Sequence, residues 1–242
     1  MTLAPPASPP PPLEKRRYVR EMFSAIAPRY DLLNHLLSLN VDRSWRRRAV
    51  DRLGWERRAT GTFLDACAGT LDLAIELAGR PGFRGRVVGV DFAAPMLRLG
   101  ADKVGHGPVV PAAADALALP FPDGRFDGTT VGFGVRNLDD LDAGLRELWR
   151  VLKPGARLVI LDFTTPPSRP LRSLYHFYFR RVLPLVGRAV SGHPTAYAYL
   201  PASVETFPAP AELMGRMVGA GFRDAGYELL TGGIAAIHWG TR

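Results

Sequence analysis

Residues 64–74 read LDACAGTLDLA: an apolar run ending in an acid, a turn of small residues, then a second acid opening a helical pattern. A strand that passes through a small-residue turn into a helix is the first unit of an open α/β sheet, whose ligands sit outside the carboxyl ends of the strands. Backbone must approach the ligand closely there, which suits Ala66, Ala68 and Gly69. The dinucleotide pattern G-x-G-x-x-G is missing, and Asp65 and Asp72 bracket the turn instead. Two carboxylates would repel a pyrophosphate and suit a ligand that carries positive charge.

Outward from this turn the pattern repeats. Residues 62–67, 86–91 (RVVGVD), 108–114, 126–133 (FDGTTVGF) and 156–163 (ARLVILDF) are short buried-strand runs separated by helical stretches. That alternation predicts a mostly parallel sheet covered on both faces. Leu141, Leu145, Leu148, Trp149 and Leu152 mark one face of a helix that Pro154-Gly155 is expected to stop. A helix over 209–220 precedes two final strands, 223–230 and 234–240, whose Thr231-Gly232-Gly233 link predicts an antiparallel hairpin. The expected architecture is α/β and Rossmann-like, a mostly parallel seven-stranded sheet with a C-terminal antiparallel hairpin and helices on both faces. Residues 1–12 (MTLAPPASPPPP) read as a disordered Pro-rich tail and 13–242 as one domain. Within it, 13–58 is expected to be a helical lid and 165–204 an insert facing substrate or membrane.

The 242 residues carry 47% hydrophobic and 22% charged side chains at a mean hydropathy of −0.01, enough for one large core. No run nears the roughly 18–20 apolar residues of a spanning helix, and no apolar leader follows Met1, so a cytoplasmic protein is expected. The single cysteine, Cys67, excludes an internal disulfide and a thiolate metal cluster, and no metal is expected. The net charge of +8 is almost wholly arginine. Residues 163–204 contain no acid yet carry Arg169, Arg172, Arg180, Arg181 and Arg188, which points to an anionic surface or ligand.

Asp91 ends the second strand 22 residues after Gly69, where an acid accepts hydrogen bonds from a ribose diol. Asp115-Ala116 follows the third run, where a base would lie. Three acids at the ends of three successive strands fit S-adenosyl-L-methionine, with its ribose, sulfonium and ammonium, where they do not fit NAD. The expected cofactor contacts are Asp65, Gly69, Thr70, Asp72, Asp91, Asp115 and Ala116.

The chain resembles the UbiE/MenG family of S-adenosylmethionine-dependent quinone C-methyltransferases from about Tyr18 to its end. The resemblance rests on MFSAIA at 22–27, YDLLN at 30–34 with Leu37-Ser38, and Trp45-Arg46. It continues through ALALPF at 116–121, Phe126-Asp127, FGVRN at 133–137, RELWRVLKPG at 146–155, YAYLPASVETFP at 197–208 and TGGIAAIH at 231–238. Departures are Leu71 for the second glycine of Gly-Thr-Gly-Asp, Leu33 for Met, Asp42 for His, Ala156 for Gly, Asp162-Phe163-Thr164 for Glu-Phe-Ser and Gly132 for Ser. The Leu71 side chain either crowds the methionine end of the cofactor or points into the sheet.

The resemblance implies methylation of a ring carbon of a polyprenylated quinol, demethylmenaquinol to menaquinol, with the benzoquinol step of ubiquinone synthesis or another phenolic acceptor as alternatives. A quinol carbon beside an ionising hydroxyl is electron-rich, so the protein must align it with the sulfonium methyl and favour phenolate. Arg136 and Asn137, directly after the fourth strand, are the expected catalytic groups, unless Arg136 merely pairs with Asp139 or Asp140. Tyr30, Asp31, Asn34, Tyr197 and Tyr199 are the expected substrate contacts, and Asp31 and Asp162 the acids eligible as base. His238 would lie about 17 Å from the hairpin turn and reads as structural.

On a helical wheel of residues 171–183, Leu171, Leu174, Tyr175, Tyr178 and Val182 cluster opposite Arg172, Ser173, His176 and Arg180, with Phe177 and Arg181 off-pattern. That suits an interfacial helix at the inner face of an anionic plasma membrane, or a helix packed on the sheet, or a contact between copies in a homodimer. The competing class, an RNA-binding protein or RNA methyltransferase, rests on +8 and Arg46-Arg47-Arg48; no RNA-binding module accompanies them, and no nucleic-acid partner is expected.

Overall fold

Seven strands form one sheet: β1 (Thr62–Ala66), β2 (Arg86–Asp91), β3 (Val109–Ala113), β4 (Phe126–Gly132), β5 (Leu152–Phe163), β6 (Arg223–Leu230) and β7 (Ala235–Thr241). In the computed structural model, which describes residues 12–29, 38, 40–178, 181 and 194–242, their spatial order is β3-β2-β1-β4-β5-β7-β6. The first five are parallel; β7 runs antiparallel between β5 and β6, as the Thr231–Gly233 link predicts. Strand order reverses at β1, so the β1 and β4 carboxyl ends flank the crevice where such sheets bind ligands.

Alternation along each strand feeds two core layers. Phe63, Val159, Leu161 and Ile237 face one layer, completed by Trp45, Ala49, Val50 and Leu53 of α2 (Val41–Leu53) and by Leu73 and Leu77 of α3 (Asp72–Ala78). Leu64, Leu158 and Ile160 face the other, with Leu145, Leu148 and Val151 of α5 (Leu141–Val151) and Leu213 and Met217 of α8 (Pro210–Gly219). Full burial of such side chains contributes about 1.5–3 kcal/mol each. Between β2 and β3 lies α4 (Ala94–Val104).

A third cluster sits apart from the sheet. Val19, Met22 and Ile26 of α1 (Pro12–Ile26) meet Tyr175 of α6 (Arg169–Phe177) and Tyr199 and Val204 of α7 (Pro194–Glu205). Of the 13–58 segment, α1 lies over the ligand crevice, whereas α2 is a core helix on the sheet: its Trp45, Ala49 and Val50 are buried in the main layer. Pro154-Gly155 does not stop α5. The helix ends at Val151, Leu152 already pairs with Phe126 in the β4–β5 ladder, and Pro154-Gly155 forms an irregularity inside β5, with Gly155 at φ 74°.

Among the described residues no helix is long and apolar enough to cross a membrane. On α6 Tyr175 is buried while Leu174 and Phe177 are 62% and 60% exposed, so the apolar wheel face divides between core and surface. Val182 and Arg180 lie outside the described residues.

Candidate active site

Two adjoining clefts meet at the β1–α3 turn. The larger, about 700 Å³, is bounded by Gly69, Asp91, Met96, Asp115, Ala116 and Asn137, with Arg16 and Phe23 of α1 above it. The smaller, about 370 Å³, is bounded by Arg46, Asp65, Thr70 and Asp72. Cys67, Gly69, Gly132 and Phe133 belong to both, so the clefts are continuous.

The turn is shaped by positive φ at Cys67 (52°), Gly69 (54°) and Leu71 (68°). A Cβ on Gly69 would face Met96 Cε at 3.5 Å, an ordinary contact, so glycine is favoured there by conformation more than by space. Leu71 is fully buried and touches neither cleft. Its side chain fills the space against Gly89 of β2 and Gly100 of α4, where an added Cβ would strike it. Of the two orientations open to it, Leu71 takes the one into the fold, and the cofactor end of the turn stays clear.

The acids differ in their surroundings. Asp91 Oδ2 accepts from Gly69 N at 2.9 Å and Oδ1 from Ala93 N at 2.8 Å; burial nevertheless raises its pKa above the usual carboxylate value. Asp65 accepts from Thr130 Oγ1 at 2.9 Å and Ala74 N at 3.1 Å, yet burial pushes it up to about 7. Burial acts on Asp72 in the same direction, but Arg46 and Lys103 outweigh it and hold that carboxyl below its ordinary value. Asp115 caps its own loop by accepting from Leu117 N at 3.0 Å and pairs with Arg16. Asp42, which also pairs with Arg46 at 3.3 Å, accepts from Ser38 Oγ at 2.6 Å. The Cys67 thiol is pushed well up by burial and the surrounding acids, so it stays protonated and is no nucleophile.

This lining fits S-adenosyl-L-methionine. Acceptors crowd the crevice at Asp65, Asp91 and Asp115, Met96 and Leu117 give an apolar wall for a base, and Arg46 is the cation among the described residues that line the smaller cleft.

Arg136 is the main revision. Its side chain is 6% exposed, touches neither cleft, and donates to Asp162 Oδ1 at 2.7 Å and to Phe133 O. The pairing is with Asp162 on the neighbouring strand rather than Asp139 or Asp140, and it leaves Asp162 engaged and unsuited to act as a base. Asn137 does line the larger cleft, and Tyr199 donates to its Oδ1 at 3.1 Å. Tyr30, Asp31 and Asn34 lie outside the described residues, as does the side chain of Tyr197. The sequence reading missed Arg16, Phe23 and Asp139 in the larger cleft; the arginine–aromatic pattern of α1 was the available signal. His238 is buried in β7, its Nε2 3.0 Å from Pro210 O, and burial lowers it to about 4, so it is neutral and remote from the clefts.

A doubly wound sheet of order 3-2-1-4-5-7-6 with an acid-rimmed crevice at its switch point defines an S-adenosyl-L-methionine-dependent methyltransferase of the Rossmann-like class. Residues 13–242 match the ubiE/COQ5 methyltransferase family, and the chain belongs to it. It is 54% identical to a demethylmenaquinone methyltransferase of Thermus thermophilus, over 91% of this chain and all of that protein. It is 47% identical to the ubiquinone/menaquinone biosynthesis C-methyltransferase UbiE of Geobacter sulfurreducens, over 95% and 90%. Among solved structures, a S-adenosylmethionine-dependent methyltransferase of Thermotoga maritima superposes at TM-score 0.65 with 20% identity, over 91% of this chain and 98% of that one. The [4+2]-cyclase SpnF superposes at 0.70 with 16% identity, over 97% and 98%. A cyclase on the same scaffold shows that the fold by itself does not name the reaction.

Proposed function

We propose that this methyltransferase methylates a ring carbon of a polyprenylated quinol, converting demethylmenaquinol to menaquinol. The observation that carries the reading is the cleft itself: Asp91 and Asp115 share one lining with Asn137, which Tyr199 of α7 holds, beneath Arg16 and Phe23 of α1. The Thermus relative's name supports menaquinol as the product. S-adenosyl-L-methionine, when bound, supplies the electrophilic methyl group and takes the electron pair of its sulfur–methyl bond. Asp91, at the end of β2, suits the ribose hydroxyls, and Asp115-Ala116 suits the base. In the smaller cleft Arg46, oriented by Asp42 and Asp72, suits the carboxylate of the methionine end, and Asp65 its ammonium.

At the acceptor end Asn137 orients a quinol oxygen, its own amide fixed by Tyr199 and by a bond from Nδ2 to Phe133 O at 3.3 Å. Tyr199 stays a phenol, because burial pushes it up to about 12. Arg136 acts as a positioning residue: with Asp162 it rigidifies the turn that carries Asn137. The ring carbon forms the new bond to the methyl group as the sulfur–methyl bond breaks, and then gives its proton to solvent water, restoring aromaticity. Exposed Leu174 and Phe177, set among the exposed Arg169, Arg172 and Arg181, support peripheral contact with an anionic membrane from which such a lipid is drawn.

The test is transfer of labelled methyl to a short-chain demethylmenaquinol under reducing conditions, with the oxidised quinone and bulk RNA run in parallel. Label in the quinol alone is expected. Label in RNA, or none in the quinol although the cofactor binds, overturns the reading.

A further inference from the structure

On the opposite edge of the sheet from the cofactor lies another cleft, of about 660 Å³, bounded by Arg57, Arg58, Asp127, Arg157 and Asp224. The methyl-transfer chemistry has no use for it: the strands start here and deliver their functional residues at their far ends. Its charge is unbalanced. Asp127 is shared by Arg58 at 3.2 Å and Lys153 at 2.8 Å, and it also accepts from Thr62 N at 2.9 Å. Just outside, Glu228 is shared by Arg48 and Arg52. Asp224 is the acid whose charge reaches Arg157, while burial, Arg57 and Arg52 together lower the Arg157 pKa. Arg157 is tethered in the cleft by donating to Arg52 O at 2.8 Å. The lining thus sets three guanidinium groups, Arg57, Arg58 and Arg157, against two carboxylates, Asp127 and Asp224, and a bound anion would relieve the repulsion among the three.

We propose that this cleft is a binding site for a soluble, phosphate-bearing small molecule, with a diphosphate as the matching chemistry and Arg57, Arg58 and Arg157 as its donors. Guanidinium groups present planar forks that match phosphate oxygens. The one large apolar side chain in the lining, Leu53, is buried, and the lining has no exposed apolar residue like Leu174, Phe177 or Val218, so it does not suit a lipid surface. The proposal is independent of which quinol is methylated.

The experiment is calorimetric titration of the full chain with inorganic pyrophosphate at low salt, beside thermal unfolding with and without it. Arg57→Glu tests the site; Arg57 is exposed, so the fold should tolerate the change. Arg98→Glu, exposed on α4, makes the same change in net charge away from the cleft. The expected result is one binding event per chain and a raised Tm, about tenfold weaker binding in Arg57→Glu, and wild-type binding in Arg98→Glu. Equal weakening in both variants means general charge attraction and overturns the site. So does the absence of any pyrophosphate binding, unaltered binding in Arg57→Glu, or displacement of pyrophosphate by phosphatidylglycerol vesicles at equal phosphate. Cofactor affinity in Arg57→Glu should be that of wild type, which separates this site from the methyl-transfer cleft.

Discussion

Arg136 and Asp162 form an ion pair inside the protein, Nη1 to Oδ1 at 2.7 Å, with the side chains 6% and 2% exposed. Asp162 also accepts from the Arg136 and Phe163 amides, so the carboxylate serves the strand end as well as the charge. Arg136→Ala strands a buried carboxylate and is expected to cost about 3–5 kcal/mol in urea unfolding. Arg136→Met combined with Asp162→Asn should cost less than the sum of the single changes. Additive costs would argue against the pair as one unit.

Tyr199→Phe removes a hydrogen bond and little volume. Stability should fall by about 0.5–1.5 kcal/mol. With Asn137 no longer fixed, kcat/KM for the quinol should fall about tenfold, while the KM for the cofactor is unchanged. A cofactor effect of equal size would place the Asn137–Tyr199 contact at the wrong end of the cleft.

Asp65 titrates near 7 in the fold against 3.8 as a free group, so the folded state holds the extra proton between those values. Without cofactor, rising pH from about 4 to 7 should therefore draw stability down, by on the order of 4 kcal/mol at most. His238, lowered from 6.5 to about 4, works the other way: the unfolded chain binds the extra proton, and stability rises with pH across that window. Asp65→Asn should expose the rising His238 limb in pH-dependent unfolding. If Asp65 meets the cofactor ammonium, binding at pH 7 releases a proton, read as a binding heat that depends on the buffer's ionisation enthalpy and vanishes in the variant.

Leu71→Ala opens a buried space between Gly89 and Gly100 and should cost about 2–5 kcal/mol. Leu71→Gly loses the same packing but relieves a left-handed backbone that costs a side chain about 1 kcal/mol, so it should lose about that much less. Cofactor affinity should stay within a few-fold of wild type in both, since Leu71 touches neither cleft. A large gain in affinity on shortening Leu71 would show that it does crowd the site.

Leu174→Glu with Phe177→Glu should abolish sedimentation with phosphatidylglycerol vesicles. Methyl transfer to a short-chain, water-dispersed quinol should persist. Retained sedimentation would move membrane contact elsewhere.

The strands were legible because a parallel sheet buried on both faces needs unbroken apolar runs, as in residues 156–163, and the acids of the cleft because each stands at a strand end. Asp91 and Asp115 follow from position alone. Other contacts are set by which strands become neighbours: Asp162 reaches Arg136 across the β4–β5 pair, and Arg16 meets Asp115 only once α1 folds back over the crevice. The end of α5 was misplaced because Pro154-Gly155 is a common helix stop and an equally good irregularity in a strand; the pairing of Leu152 with Phe126 decides between them. Gly100, in the middle of a helix, gave no hint that its missing side chain makes room for a residue of the cofactor turn.

Leu71 and Gly89 are one allocation of volume divided between two positions, so the turn and the second strand cannot vary independently. A methyl group at 89 strikes the Leu71 side chain, and the nearest atom of any other residue is Ala68 Cβ at 3.5 Å, an ordinary contact, so alanine becomes admissible there once Leu71 is shortened. Gly100 is different: a Cβ would lie 2.8 Å from the Thr70 carbonyl carbon, which shortening Leu71 does not remove. With glycine in place of Leu71, residue 89 is therefore free to enlarge but residue 100 is not. Exchange between the two sites should appear as compensating pairs, Leu71→Gly rescued in part by Gly89→Ala and by no substitution at 100.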